Sequence, residues 1–185
     1  MMRVGQTPAT GSARRQVAVL TILALALLAV PAAYAAFEIT PWKLAKVPPL
    51  QLVDLEGNKR SLAAYIGRVV VINFWATWCE PCRAEMPSME KLAKRLGPGK
   101  IVFLAVNYQE HPDRIRRFLE HTPVTFPVLL DSDGAATKAW TRRIFPTSVV
   151  VGTDGMPRHI ITGEYDWDGS DAARLLEPLL KSSGR

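Results

Sequence analysis

The chain contains only two cysteines, and they stand three residues apart in the segment W-C-E-P-C at positions 78–82. A C-x-x-C pair either cycles between dithiol and disulfide or supplies half of a metal site. A closed zinc site needs four ligands, whereas this chain has no second cysteine pair and only three scattered histidines. The pattern therefore predicts redox chemistry at Cys79 and Cys82, with no bound metal.

The residues on either side of this pair predict its structural setting. Positions 69–74 are apolar and mostly β-branched except for Asn73, which indicates a strand buried on both faces. Pro81 suits the first turn of a helix, and positions 83–96 have helical composition. Cys79 would then stand at a helix N-terminus, where unpaired N–H groups and the helix dipole favour the thiolate. We expect Cys79 to attack and Cys82 to resolve the mixed disulfide.

The N-terminal 35 residues have the pattern of a targeting segment. They contain Arg3, Arg14 and Arg15, no acidic residue, an apolar run over 17–30, and an A-x-A motif at 33–35. This predicts either a signal peptide cleaved after Ala35 or an uncleaved membrane anchor. The paired arginines also fit a twin-arginine signal. Each alternative places the following domain in a periplasmic or other extracytoplasmic compartment, where disulfides persist.

A static disulfide staple is the structural alternative in such a compartment. A disulfide that closes only two intervening residues removes little entropy from the unfolded chain, so we favour the redox interpretation. The formal net charge of +6 falls to +3 once the three arginines of the targeting segment are set aside. No stripe of basic and aromatic residues suggests nucleic-acid binding, and we expect no nucleic-acid partner.

The rest of the chain predicts one α/β domain over 48–185, preceded by an extended linker without regular structure over 36–47. Strand and helix patterns alternate, and the series ends in an antiparallel hairpin and a last helix. The expected order is a hairpin at 50–62, the strand and helix around the cysteines, a strand at 100–107, a helix at 112–121, a strand at 126–131, a helix ending at Trp140, a hairpin at 148–162 and a helix from about 170. Such an order implies a mixed central sheet flanked by helices.

Two separate motifs carry a resemblance to a known family. Positions 73–87, N-F-W-A-T-W-C-E-P-C-R-A-E-M-P, resemble the active-site segment of the thioredoxin superfamily, and more narrowly that of TlpA/ResA-type thiol–disulfide oxidoreductases. The second motif is F-P-T at 145–147, followed by a strand and Asp154-Gly155. The resemblance spans about 48–180 and implies a thioredoxin-like fold with an N-terminal hairpin and a strand-helix insertion around 102–130. It also implies that Pro146 is cis and faces the redox turn.

The resemblance also singles out Glu85 as a functional acid. Cytoplasmic thioredoxins carry a buried aspartate where this chain has Asn73, and an amide cannot take a proton from a thiol. Glu85 follows Cys82 by three residues, which places it near the same helical face. A partly buried carboxyl group there would have a raised pKa and could exchange protons with Cys82. The alternative is a solvated surface glutamate.

A client-binding surface is expected beside the cysteines. We expect it to comprise Trp78, as an exposed flat ring, together with Pro81, Phe145 and Pro146. The bulky Phe145 and the arginines at 142–143 suggest hydrophobic or acidic client segments.

The resemblance implies an extracytoplasmic reductase of client disulfides that needs no cofactor other than the Cys79–Cys82 pair. Expected partners are client proteins with disulfides or cysteine pairs, as in cytochrome c maturation or oxidase copper-site assembly, and a membrane thiol donor that recharges the protein. Alternatives are a disulfide oxidant or isomerase, and a copper metallochaperone that adds a methionine, such as Met86 or Met89, or a histidine to the two cysteines. A peroxidase is disfavoured, because the chain lacks a P-x-x-x-T-x-x-C motif around Cys79.

Overall fold

The structure is a computed structural model that describes residues 37–181. The predicted targeting segment, residues 1–35, lies outside this range. The strands are β1 (Glu38–Pro41), β2 (Gln51–Asp54), β3 (Lys59–Ser61), β4 (Val69–Trp75), β5 (Ile101–Tyr108), β6 (Val128–Asp131), β7 (Thr147–Val151) and β8 (Pro157–Thr162). The helices are α1 (Glu80–Leu96), α2 (Pro112–Leu119), α3 (Ala135–Trp140) and α4 (Ser170–Lys181), with a 3₁₀ turn at Leu62–Tyr65. Across residues 37–181, no helix combines the length and apolar character needed to cross a membrane.

All eight strands form one mixed sheet in the order β1-β8-β7-β4-β5-β6-β2-β3. Strands β4, β5 and β6 are parallel, as their helical crossovers require, and the remaining pairs are antiparallel. This confirms the predicted mixed sheet, the N-terminal hairpin (β2 and β3) and the inserted strand-helix-strand unit (β5, α2 and β6).

Strand β4 lies at the centre of the sheet and divides the core into two layers. Its side chains alternate between the faces, because successive residues of a strand point to opposite sides. Val69 and Val71 pack in one layer with apolar residues of α1, α2 and α4. Val70 and Ile72 pack in the other layer with residues of α3 and the 3₁₀ turn. Burial on both faces explains why every residue of the strand except Asn73 is apolar.

The expectation of an irregular linker over 36–47 is wrong for residues 38–41. These residues form β1, which pairs with β8 at one edge of the sheet, with Ile39 opposite Ile161 and Pro41 opposite His159. Trp42 extends the pairing of β1 with β8, because its backbone N–H donates to the carbonyl of Arg158 at 2.9 Å. An edge strand tolerates proline. The prolines of this region are therefore compatible with a strand, contrary to the expectation from sequence.

Candidate active site

The turn between β4 and α1 carries both cysteines, as predicted. Cys79 is the N-cap residue of α1 and is joined to Cys82 by a disulfide. The backbone N–H of Cys82 donates to the Sγ atom of Cys79 over 3.3 Å. Cys79 is 5% exposed, whereas Cys82 is completely buried. The Cys79 sulfur therefore lies at the N-terminus of α1 within reach of a backbone N–H, which favours a thiolate at Cys79 in the reduced protein.

Strand pairing brings the second motif to the same place. Strand β7 runs antiparallel to β4 with Thr147 opposite Phe74, so the residues before Thr147 lie beside the end of β4 where the redox turn begins. The Phe145–Pro146 peptide is cis, as the resemblance implied. Pro146 is buried and Phe145 is half-buried.

The residues expected to bind clients lie around this turn. Trp78 is 57% exposed, and its ring meets that of Phe145 edge to face with centroids 5.7 Å apart. The Phe145 ring also lies 5.3 Å from the ring of Tyr108. Pro81 is half-buried in the first turn of α1. Trp78, Phe145 and Tyr108 form an aromatic surface next to Cys79.

Glu85 is buried beneath the redox turn rather than solvated on the helix surface. It is only 2% exposed and lies one helical turn beyond Cys82. One carboxylate oxygen accepts the Asn73 side-chain N–H at 2.5 Å, and the other accepts the backbone N–H of Tyr165 at 3.2 Å. Burial raises the pKa of Glu85 to about 8, because these hydrogen bonds do not fully compensate for the lost hydration and Glu164 adds a like charge.

Asn73 is suited to both protonation states of Glu85. In the structure its Nδ2 atom donates to Glu85 and also to the Ser148 hydroxyl, 2.9 Å away. Its buried Oδ1 atom has no hydrogen-bond partner among residues 37–181. Rotating the amide by half a turn would present Oδ1 to a protonated carboxyl group, because an amide offers a donor on one side and an acceptor on the other. Sequence reasoning identified both residues but not this bond between them.

A second buried carboxylate, Glu110, fixes the residue that begins the redox turn, and sequence reasoning did not find it. Its side chain is 6% exposed. Its oxygens accept the backbone N–H and the hydroxyl of Thr77, both at 2.6 Å, and the Asn107 side-chain N–H at 2.9 Å. Arg114 contacts both Thr77 and Glu110 at 2.9 Å. Polar residues directly after the buried strand β5 were the available signal, because β5 runs parallel to β4 and their carboxyl ends meet at one edge of the sheet.

The two methionines of the copper alternative are fully buried in the layer beneath α1. In the part of the chain that the structure describes, no group of three or more histidine, cysteine, aspartate or glutamate side chains could hold a metal ion.

Comparison with known proteins agrees with this fold and redox turn. Residues 44–160 match the AhpC/TSA family. The thiol–disulfide oxidoreductase ResA of Geobacillus kaustophilus is 35% identical over 132 residues, which cover 71% of this chain and 75% of that protein. The thioredoxin-like protein YneN of Bacillus subtilis is 36% identical over 121 residues, or 64% of this chain and 70% of YneN.

A solved structure shares the architecture. A Chlorobium tepidum protein described as thiol:disulfide interchange protein DsbE superposes with a TM-score of 0.69 at 26% identity, over 76% of this chain and 99% of the other. Fold, disulfide and relatives together define a thioredoxin-like thiol–disulfide oxidoreductase. The chain belongs to the AhpC/TSA family, and its resemblance to ResA-type proteins is confirmed.

Proposed function

We propose that the protein is an extracytoplasmic reductase of protein disulfides. The observation that carries this proposal is the Cys79–Cys82 disulfide at the N-terminus of α1, with Glu85 buried one turn further along the helix. Cys79, the more exposed of the two cysteines, can attack a client disulfide, the fully buried Cys82 can resolve the mixed disulfide, and the buried acid can take up the proton of Cys82.

In the first step, the Cys79 thiolate of the reduced protein attacks one sulfur of a client disulfide. The client S–S bond breaks, a bond forms between Cys79 and the attacked sulfur, and the other client sulfur leaves as a thiolate that takes a proton from water. The helix N-terminus and the N–H of Cys82 support a negative charge on the Sγ atom of Cys79. Trp78 and Phe145 offer apolar contact to the client chain beside this sulfur.

In the second step, Cys82 gives up its proton and attacks the Sγ atom of Cys79. The Cys79–Cys82 disulfide forms and the client leaves with its second sulfur as a thiolate. The client has gained two electrons, and the protein has lost them. Cys82 is fully buried, so its proton needs an acceptor inside the protein, and Glu85 is the carboxylate on the same helical face. With a pKa of about 8, roughly one tenth of Glu85 is ionised at pH 7, and this ionised form can accept the proton of Cys82 and return it when the protein is recharged.

The clients and the location are proposed from the resemblance and from the targeting pattern of residues 1–35. We propose clients in cytochrome c maturation or oxidase copper-site assembly, and a membrane thiol donor that reduces the Cys79–Cys82 disulfide after each cycle. A cleaved signal peptide or an N-terminal anchor would deliver the domain to that compartment.

Trapping of the mixed disulfide tests the proposed roles of the cysteines. The Cys82→Ser variant should accumulate a covalent complex with a disulfide-containing client protein, because the second step is blocked. The matched Cys79→Ser variant should form none. The same complexes in both variants, or in neither, would contradict the assignment of Cys79 as the nucleophile.

The role of Glu85 is tested by the pH dependence of the second step. Replacing Glu85 with glutamine keeps the size of the side chain and removes its titration. In the wild type, we expect the rate of client release to increase with pH as Glu85 loses its proton, with a midpoint near pH 8. The Glu85→Gln variant should lack this increase. Identical pH profiles would reduce Glu85 to a structural residue.

A further inference from the structure

A groove of about 600 Å³ opens on the α3 side of the sheet. Strands β1, β8 and β7 form its floor, with Thr40, Ile160 and Thr162 among the lining residues. One wall is α3 with the turn that follows it, and the opposite wall is the segment Trp42–Leu44 that leaves β1.

Apolar surface and positive charge characterise this groove. Trp42 lies against Trp140 with ring centroids 5.5 Å apart, and Leu44 and Ile144 are 56% and 49% exposed. Three cations and one acid line the groove, namely Lys43, Lys138, Arg142 and Glu38. Within residues 37–181 none of the three cations forms an ion pair, although most exposed arginines of α2 and α4 do.

The groove is continuous with the aromatic surface next to Cys79. Its lining residues Ile144 and Thr147 directly flank the Phe145–Pro146 peptide. The Phe145 ring in turn contacts that of Trp78, the residue before Cys79. A polypeptide held at Cys79 through a mixed disulfide therefore has this groove as a neighbouring concave surface.

We propose that the groove binds the extended segment of a client that lies next to its reactive cysteine, and that it selects segments with aliphatic and acidic side chains. The exposed side chains of Leu44 and Ile144 receive the aliphatic side chains, and the three unpaired cations attract the carboxylates. Complementary charge increases the rate of encounter and excludes basic segments. This proposal rests on the proposed reductase function and adds a client class to it.

The test compares matched peptides as substrates of the reduced full-length chain. The acidic peptide contains one internal disulfide flanked on both sides by valine, leucine, aspartate and glutamate. The matched neutral peptide has asparagine and glutamine in place of aspartate and glutamate. The readout is the ratio of the two second-order reduction rate constants, so that a general loss of activity cancels. We expect the wild type to reduce the acidic peptide about tenfold faster than the neutral one at low ionic strength.

Charge-reversal variants test whether the preference for the acidic peptide comes from the groove. The Lys138→Glu/Arg142→Glu double variant should bring the ratio to one or below. The control variant Lys91→Glu/Lys100→Glu changes the net charge equally at exposed positions outside the groove, and it should keep the preference for the acidic peptide. An equal loss in both double variants would show general charge attraction and overturn the groove proposal.

Failure of this proposal is distinguishable from failure of the proposed function. If the wild type reduces both peptides at equal rates, the groove proposal is overturned while the reductase function stands. If the reduced protein exchanges with neither peptide nor a small disulfide such as hydroxyethyl disulfide, the proposed function itself fails.

Discussion

Two buried glutamates on helix α1 have opposite pKa shifts. Glu85 and Glu90 are 2% and 9% exposed. Burial raises the pKa of Glu85 to about 8. Burial also acts to raise the pKa of Glu90, but hydrogen bonds from Thr125 and Lys94 outweigh it and lower the pKa below its ordinary value.

The difference lies in the donors that surround each carboxylate. Glu90 accepts the backbone N–H of Thr125 at 2.8 Å and pairs with the Lys94 ammonium group at 3.0 Å. Among residues 37–181, Glu85 has only neutral hydrogen-bond donors, and the charge that acts on it is that of the acidic Glu164. A carboxylate that is buried without a cation titrates near neutral pH and can exchange protons, whereas one held by N–H groups and a cation is a fixed structural anion. Burial alone therefore does not identify the functional acid.

The largest expected effect is on the stability of the Glu85→Gln variant. The folded protein keeps the Glu85 proton up to about pH 8, whereas the unfolded chain releases it near 4.5. Wild-type stability therefore falls as pH rises through this window, and the variant lacks this loss. Relative to the wild type, the oxidised variant should gain up to about 5 kcal/mol between pH 4 and pH 9. Urea unfolding across this range measures the gain, and parallel curves would contradict the raised pKa.

The Glu110→Gln variant asks whether Glu110, which lies outside α1, has a structural role like that of Glu90. Its oxygens hold Thr77 through charge-assisted hydrogen bonds, and an amide cannot accept all of these donors. We expect a loss of about 2–3 kcal/mol in unfolding free energy, together with faster hydrogen exchange of the Thr77 amide. Unchanged exchange at Thr77 would show that Glu110 does not fix the turn.

A smaller effect of opposite pH dependence is expected for Glu90→Gln. Because the folded-state pKa of Glu90 is lowered, its carboxylate stabilises the protein above its ordinary pKa, and this contribution is lost as pH falls through the folded-state value. The variant should be about 1 kcal/mol less stable than wild type at pH 7, with the gap closing towards pH 3. If the gap instead widened at low pH, the contrast between the two glutamates would be wrong.

Local pattern was sufficient to predict the redox turn. A buried strand, two cysteines three apart and Pro81 in the first helical turn are neighbours in sequence, so their arrangement depends on no long-range contact. The position of Glu85 followed from helical spacing after Cys82. Its burial could not be obtained in that way, because the chain that covers it includes Tyr165, 80 residues further along.

The features that sequence reasoning missed depend on strand pairing. Glu110 reaches Thr77 because Trp75 at the end of β4 lies opposite Asn107 in β5. Strand β1 was missed because its four residues contain a proline and are mostly exposed, so its strand state comes from pairing with β8. Neither partner can be identified from periodicity along one segment.

The most direct test of the proposed function is the reduction potential of the Cys79–Cys82 pair, measured at pH 7 by equilibration with glutathione or dithiothreitol. A dedicated reductant recharged by a membrane thiol donor should have a potential of about −250 mV or lower, close to that of thioredoxin. A potential near about −120 mV, as in strong periplasmic oxidants, would mean that the protein forms disulfides, and it would contradict the reductase function proposed for this chain.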